Sequence, residues 1–220
     1  MNTLTLLLVV CLALTVLGVV LYNRLVALRN RVRNAYSQID VQLQRRYELI
    51  PNLVETARAY LVHERETLLA VTEARNGAER CRQAVLSAGT DAVAGPGTEP
   101  GTGLGTGPGP GPGAERGPVA ELAAAERGVA GALGQLNLVM EAYPELKADE
   151  RMNRLHEDLA STENRVAFAR QAYSDAVMRY NTGAESFPAI LVARALRFLP
   201  AELFEAASEE HREAITVSFA

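Results

Sequence analysis

The sequence predicts an all-α protein: an N-terminal transmembrane helix followed by an antiparallel up-and-down helical bundle of three long helices plus a short C-terminal helix. Three observations carry that expectation. From Leu4 to Leu21 the chain holds no charged residue. Beyond it, apolar residues recur at steps of three and four over most of the remaining length, the mark of helices that bury one face. Hydrophobic residues make up 48% of the chain while aromatics make up only 5% and Trp is absent. The excess is Ala, Leu and Val, and with abundant Arg and Glu this composition favours helix over sheet. The net charge of −4 provides no basic field for nucleic acid, so none is expected as a partner.

Residues 1–22 read as the anchor. Only Thr5 and Thr15 bring hydroxyls into the run, which Thr3 and Tyr22 flank. Some 18–20 residues of this kind match the ~30 Å of hydrocarbon that a helix must cross. A cleaved signal peptide needs a basic start and a small-residue exit. Here only Met1, Asn2 and Thr3 precede the run, and Leu17-Gly18-Val19-Val20 is a poor exit. Arg24, Arg29, Arg31 and Arg33 follow with no acid before Asp40. The positive-inside rule therefore places the protein in the cell membrane as a single-pass chain, N-terminus outside and C-terminal domain cytoplasmic.

Residues 23–88 read as the first long bundle helix. Its stripe is Leu25, Leu28, Val32, Ala35, Ile39, Leu43, Tyr47, Ile50, Val54, Ala57 and Leu61, then Leu68 and Val71. The consecutive steps of four at 39–43–47 shift the seam in the manner of a stutter. Glu64 and Arg75 fall on the extrapolated seam, where it is expected to fray. Pro51 lacks a backbone donor and crowds the preceding turn, so a kink is expected near Tyr47–Ile50; Asn76-Gly77 is a second weak point. A helix from Tyr22 to Ser87 would span about 100 Å, against about 50 Å for the last long helix. It must therefore bend or project as a stalk.

Residues 89–118 differ in kind: from Gly101 to Gly113 they are almost pure Gly, Pro and Thr. They hold too little apolar surface to offset ordering and read as a disordered linker. No Gly-Lys-Ser/Thr follows, which excludes a phosphate-binding loop. Residues 119–182 read as bundle helices two and three. Helix two, Val119 to Ala142, carries Gly128, Gly131 and Gly134, and their small size suggests close approach to a neighbouring helix. Helix three runs from an N-cap at Asp149 to Thr182 along the stripe Leu155, Leu159, Thr162, Val166, Ala169, Tyr173, Ala176 and Tyr180. Asn181-Thr182-Gly183 reads as its stop. Residues 183–220 read as a short amphipathic helix and a tail. Phe187, Ile190, Leu191 and Phe198, with Arg194 and Arg197, either close the end of the bundle or rest on a membrane surface.

A search for chemistry returns little. His63, His156 and His211 are scattered, and His63-Glu64-Arg65-Glu66 lacks the second histidine of a zinc-protease helix. Cys11 and Cys81 have no local base, and the adjacent Glu157 and Asp158 diverge on a helix. No catalytic, cofactor-binding or metal residue is expected, hence no cofactor and no enzymatic activity. One polar feature remains. Asn30, Asn34, Gln38 and Arg45 run beside the first seam, and Glu163, Asn164 and Arg165 stand at a comparable level on helix three. They read either as a buried layer that fixes helix register or as solvated flanks.

Several ordered blocks carry a resemblance. They include Tyr22-Asn23-Arg24-Leu25-Val26, Arg29 through Ala35, Ser37-Gln38-Ile39-Asp40-Val41-Gln42-Leu43 and Arg45 through Val54. Later come Glu141-Ala142-Tyr143-Pro144, Glu163-Asn164-Arg165, Tyr180-Asn181-Thr182 and Ser186-Phe187-Pro188. Together they resemble LemA family proteins over nearly the whole chain except the Gly/Pro insert. The resemblance implies a bacterial membrane anchor with a soluble antiparallel bundle, and it supplies no reaction. Tyr36 stands where the family often has Trp, and the insert lengthens the first connection. The expected role is a scaffold or interaction module. Its expected partners are the lipid bilayer, through the N-terminal helix, and membrane or envelope proteins of unknown identity. The incomplete seam on helix one leaves room for a homo-oligomer. The alternatives are a membrane-remodelling or lipid-contacting protein and, behind it, an enzyme with an unrecognised site.

Overall fold

The computed structural model describes residues 3–61, 63–88 and 117–204, which form six helices and no strand. They are α1 (Thr3–Arg58), α2 (Arg65–Ser87), α3 (Pro118–Glu141), α4 (Pro144–Ala148), α5 (Glu150–Glu185) and α6 (Ala189–Ala195). The fold class is the expected one, with four long helices in the place of three. The region read as one helix over 23–88 reverses direction: α1 ends at Arg58, and α2 starts at Arg65 and returns along it. The reversal removes the length mismatch noted from the sequence. Pro51 lies on the exposed face inside α1, which continues past it to Arg58. Asn76-Gly77 does not interrupt α2.

Cross-helix bonds define the topology. Arg82 on α2 meets Asp40 on α1 at 2.8 Å, and Arg75 Nε donates to the Tyr47 carbonyl at 3.3 Å; α2 therefore runs antiparallel to α1. The Tyr143 hydroxyl donates across to Glu64, so α3 runs back along α2. The Tyr60 hydroxyl donates to Asp149 at 2.9 Å, and the Tyr36 and Tyr173 rings meet edge to face 6.0 Å apart. Hence α5 is antiparallel to α1. The dominant interfaces are α1 on α5 and α2 on α3. One continuous core joins them, including Ile39, Leu43, Tyr47 and Ile50 of α1, Val71 and Ala78 of α2, Leu122 and Leu136 of α3, and Val166, Tyr173 and Val177 of α5.

The first third of α1 is of another kind. Its apolar side chains from Leu6 to Val20 stand exposed, whereas full burial begins at Leu25. One helix thus serves both as a segment long and apolar enough to cross a membrane and as a core element of the bundle.

Helix α5 starts where the sequence placed it: the Asp149 side chain accepts the Met152 backbone N–H at 2.9 Å. Its end lies later than expected, at Glu185. Gly183 is no stop signal here. A methyl group at that position would come within 2.7 Å of Leu28 Cδ1, so the glycine lets α5 approach α1. The α5 seam follows the predicted stripe until Ala176, where burial passes to Val177, as expected when a straight helix drifts from a seven-residue repeat.

Past α5 the chain turns through a cis Phe187–Pro188 bond into α6. Helix α6 is the short helix expected in this region, seven residues long, and it ends in a Schellman turn. The Phe198 N–H donates to Ala193 and the Arg197 N–H to Arg194, with Arg197 at φ 54°. The strap after it folds back along α5. The Tyr180 hydroxyl donates to the Leu199 carbonyl and the Tyr173 hydroxyl to the Glu202 carbonyl, both at 2.8 Å. Asn181 bonds the backbone of Ala201 from both sides, and Phe204 is buried against Tyr173. Apart from Gly117 and Pro118, which cap and open α3, the linker expected over 89–118 lies outside the described residues, as does the tail from 205.

Gly128, Gly131 and Gly134 do not serve close packing. All three face outward, and a methyl group added at any of them would meet no heavy atom within 4 Å. Each therefore only weakens the helix, and replacing any one with Ala should stabilise the fold by about 0.5–1 kcal/mol. Denaturant unfolding of the single variants measures this, and a loss of stability would restore the close-approach reading.

Candidate functional site

The polar layer exists, one residue away from the position that spacing suggested. Arg46, not Arg45, turns inward from α1 and Glu126 meets it from α3. Their Nη1–Oε2 distance is 2.9 Å, with side chains 3% and 0% exposed. The Tyr47 hydroxyl donates to the other Glu126 oxygen. Arg46 also reaches Glu163 at 3.4 Å, and Arg170 approaches Glu126 at 3.5 Å. Residues from α1, α3 and α5 thus share one charged cluster at a single level. A second cluster ties α2 to α1, with Arg82 bonded to Asp40 at 2.8 Å and to Glu79 at 3.0 Å.

The electrostatics follow from burial. Removing Tyr47 from water, and setting it against the Glu126 carboxylate, pushes its ionisation far above the usual phenol range, so it remains a hydrogen-bond donor. Burial works against the charge on Arg82, but its bonds to Glu79 and Asp40 more than offset this and hold it cationic. The hydrogen bond from Arg82 holds the Glu79 carboxyl below its ordinary value. Asp149 is likewise lowered, by the Met152 backbone N–H first and then by Tyr60.

Of the predicted layer, only Glu163 joins the cluster. Asn30, Asn34, Gln38, Arg45, Asn164 and Arg165 are exposed. Gln38 and Arg165 instead line an open groove along α1 and α5 with Ser37, Val41, Gln42 and Phe168. Val41 and Phe168 are 62% and 73% exposed there. Glu126 was legible, since Val119, Leu122, Glu126, Val129, Leu133, Leu136 and Met140 step by three and four, which places an acid on an apolar seam. Arg46 was hidden because α1 is covered on more than one face, which a single-stripe reading does not anticipate.

The other sequence candidates remain dispersed. His63 and His156 are exposed, Glu157 and Asp158 point to solvent, and Cys81 is half-buried; His211 lies outside the described residues. The set around α6 divides in two. Ile190 and Phe198 face inward, Phe198 against Tyr22 at 5.9 Å between ring centroids. Phe187, Leu191, Arg194 and Arg197 face outward, with Phe187 82% exposed. Helix α6 closes the open end of the bundle through Ala193, which packs on Leu25 and Ala184.

Two measurements test the polar core. Replacing Glu126 with Gln leaves Arg46 charged and buried without its buried counter-ion and with only the exposed Glu163 nearby, so it should cost about 3–5 kcal/mol, and Arg46→Met combined with Glu126→Leu should recover most of it. Denaturant unfolding of the chain begun at residue 23 decides this; a loss well under about 1 kcal/mol for Glu126→Gln would show that the cluster is not a constraint. The lowered Glu79 and Asp149 carboxyls contribute stability that is complete above their ordinary values. That contribution is lost as pH falls through their lower, folded-state values. Melting temperature should therefore drop on acidification, and by less in Glu79→Gln.

The model of the LemA family matches residues 35–219. Two curated relatives, Magnetosome protein MamQ 1 and Magnetosome protein MamQ 2 of Paramagnetospirillum magneticum (strain ATCC 700264 / AMB-1), are each 26% identical over 185 residues. The aligned region covers 84% of this chain and 64% of each relative, so it spans less than two thirds of their length. The match runs from Ala35 on α1 through α5, α6 and the strap, covering the bundle and its charged layer: the chain belongs to the LemA family.

Proposed function

We propose that this protein is a single-pass, non-enzymatic scaffold or interaction module of the bacterial cell membrane. Its bundle lies on the cytoplasmic side and offers the α1/α5 groove to a protein partner. The observation that carries this reading is the combination of anchor and groove on one helix. The helix that has an apolar, exposed N-terminal third also lines the groove in which Val41 and Phe168 are exposed. Large apolar side chains clustered in a polar surround favour protein contact. The four arginines between the apolar run and Asp40 support the cytoplasmic placement.

A photo-crosslinking residue at Ala172, beside the groove, should give discrete adducts in living cells, whereas one at Gln83 on α2 should not. The same products should disappear with Phe168→Ser. Equal labelling at both positions would remove the groove from the account. Carbonate washing of membranes should leave the full chain in the pellet and release a chain begun at residue 23.

A second reading, lipid contact by the bundle itself, is favoured by the outward Phe187 and Leu191 at the end of the bundle nearest the anchor. The chain begun at residue 23 distinguishes the two readings. Scaffolding alone predicts that Phe187→Ser with Leu191→Ser leaves its retention on anionic vesicles unchanged. Lipid contact predicts appreciable binding that Phe187→Ser with Leu191→Ser reduces.

A further inference from the structure

Charge is unevenly distributed along the rod. Residues 22–36 and 174–204, which form the anchor-proximal end, hold seven arginines against three carboxylates, in a chain whose net charge is −4. Three of these arginines line one groove between α1 and α5: Arg24 and Arg31 from α1 and Arg179 from α5, over a floor of Leu28, Thr182 and Gly183. Its volume is about 590 Å³, within the range of roughly 300–1,000 Å³ typical of small-ligand sites. The glycine deepens it, since any side chain at position 183 would run into Leu28. Among the described residues, the side chains of Arg24, Arg31 and Arg179 form no ion pair or hydrogen bond, and Asp175 and Glu185, the nearest acids in sequence on α5, form none with them.

The height of the groove decides what it meets. Arg24 follows the last residue of the apolar run, Leu21, by three positions and Arg31 by ten. On a helix rising about 1.5 Å per residue they stand roughly 5 Å and 15 Å beyond the hydrocarbon edge. The headgroup layer on one side of a bilayer is roughly 5–8 Å deep, and arginine side chains extend several ångströms toward it. Guanidinium groups bind phosphate oxygens in bidentate fashion, and the Thr182 hydroxyl adds a further donor.

We propose that the α1/α5 groove at the base of the bundle binds the headgroup of one anionic phospholipid, whose phosphate is held by Arg24, Arg31 and Arg179. The proposal rests on the anchored reading above. It differs from the contact through Phe187 and Leu191 in its site and in its one-to-one stoichiometry. A bound lipid would fix the rotation of the bundle about the anchor axis and hold the rod at a set angle to the membrane.

The experiment uses the full chain in detergent micelles containing equal amounts of phosphatidylglycerol and phosphatidylcholine, with native mass spectrometry reading the retained lipid. The expected result is one phosphatidylglycerol retained in preference to phosphatidylcholine. Arg31→Gln with Arg179→Gln should lower retention about twenty-fivefold, the product of the roughly fivefold that each arginine contributes near an anionic surface. Thr182→Phe, which fills the groove and leaves every charge in place, should lower it as well. Three results would overturn the proposal: equal retention of both lipids, equal loss in Arg194→Gln with Arg197→Gln, or displacement of the lipid by millimolar inorganic phosphate. Carbonate washing reports on the anchor separately, since all these variants should remain in the membrane pellet if the anchored reading holds.

Discussion

Helix α1 has to satisfy two solvents along one unbroken rod. Its first third is apolar on every side and is left uncovered by the other described helices; from Leu25 onward it carries a largely apolar buried face between mostly polar exposed ones. No hinge separates the regimes, because α1 runs as one helix through the change between Leu21 and Leu25. Whatever orients the apolar segment therefore orients the bundle, and torque on the bundle reaches the segment directly. The other elements are the means of covering the second part of α1. Helix α5 covers it along most of its length, the α2/α3 pair covers the distal half, and α6 with the strap covers the end next to the anchor.

That division of labour explains the charged layer. Aliphatic seams built of Ala, Leu and Val tolerate slippage by a turn, since one small apolar side chain substitutes readily for another. A buried Glu126 that can be neutralised only at the level of Arg46, Tyr47 and Arg170 penalises every other register. The Arg82, Asp40 and Glu79 cluster performs the same task for α2. Together the two clusters fix the rotation of α1 as well as its height. This matters most for α3, which follows α2 only after a long connecting segment.

With register fixed internally, the outer faces are available for other uses. Beyond the anchor, two of the places that expose apolar side chains are the α1/α5 groove around Phe168 and the outer side of α6 around Phe187. The arginines of the basal groove occupy a third, next to the bilayer-length segment. None of the three draws on the charged core, so a binding event at any of them leaves the ion network intact.

Much of this was determined by sequence alone. An uncharged run of bilayer length, heptad-like spacing and an Asp at a helix start are local signals; α3, α5 and the Asp149 cap follow from them with small shifts at their ends, and so does the first part of α1 but not its end. The acid on the α3 seam was equally legible. What required tertiary structure was everything that depends on two elements at once. The chain reverses after Arg58 because α2 buries its own stripe by packing back on α1, and no turn signature marks the spot. Arg46 is buried rather than Arg45 because α1 is enclosed from several sides, and periodicity in one strip of sequence reports only one side. Gly183, which reads as a stop in the sequence, supports a helix contact, while Gly128, Gly131 and Gly134, which read as close-approach positions, support none. A residue's spacing is a property of its own helix, whereas its neighbour across a gap is a property of the whole fold.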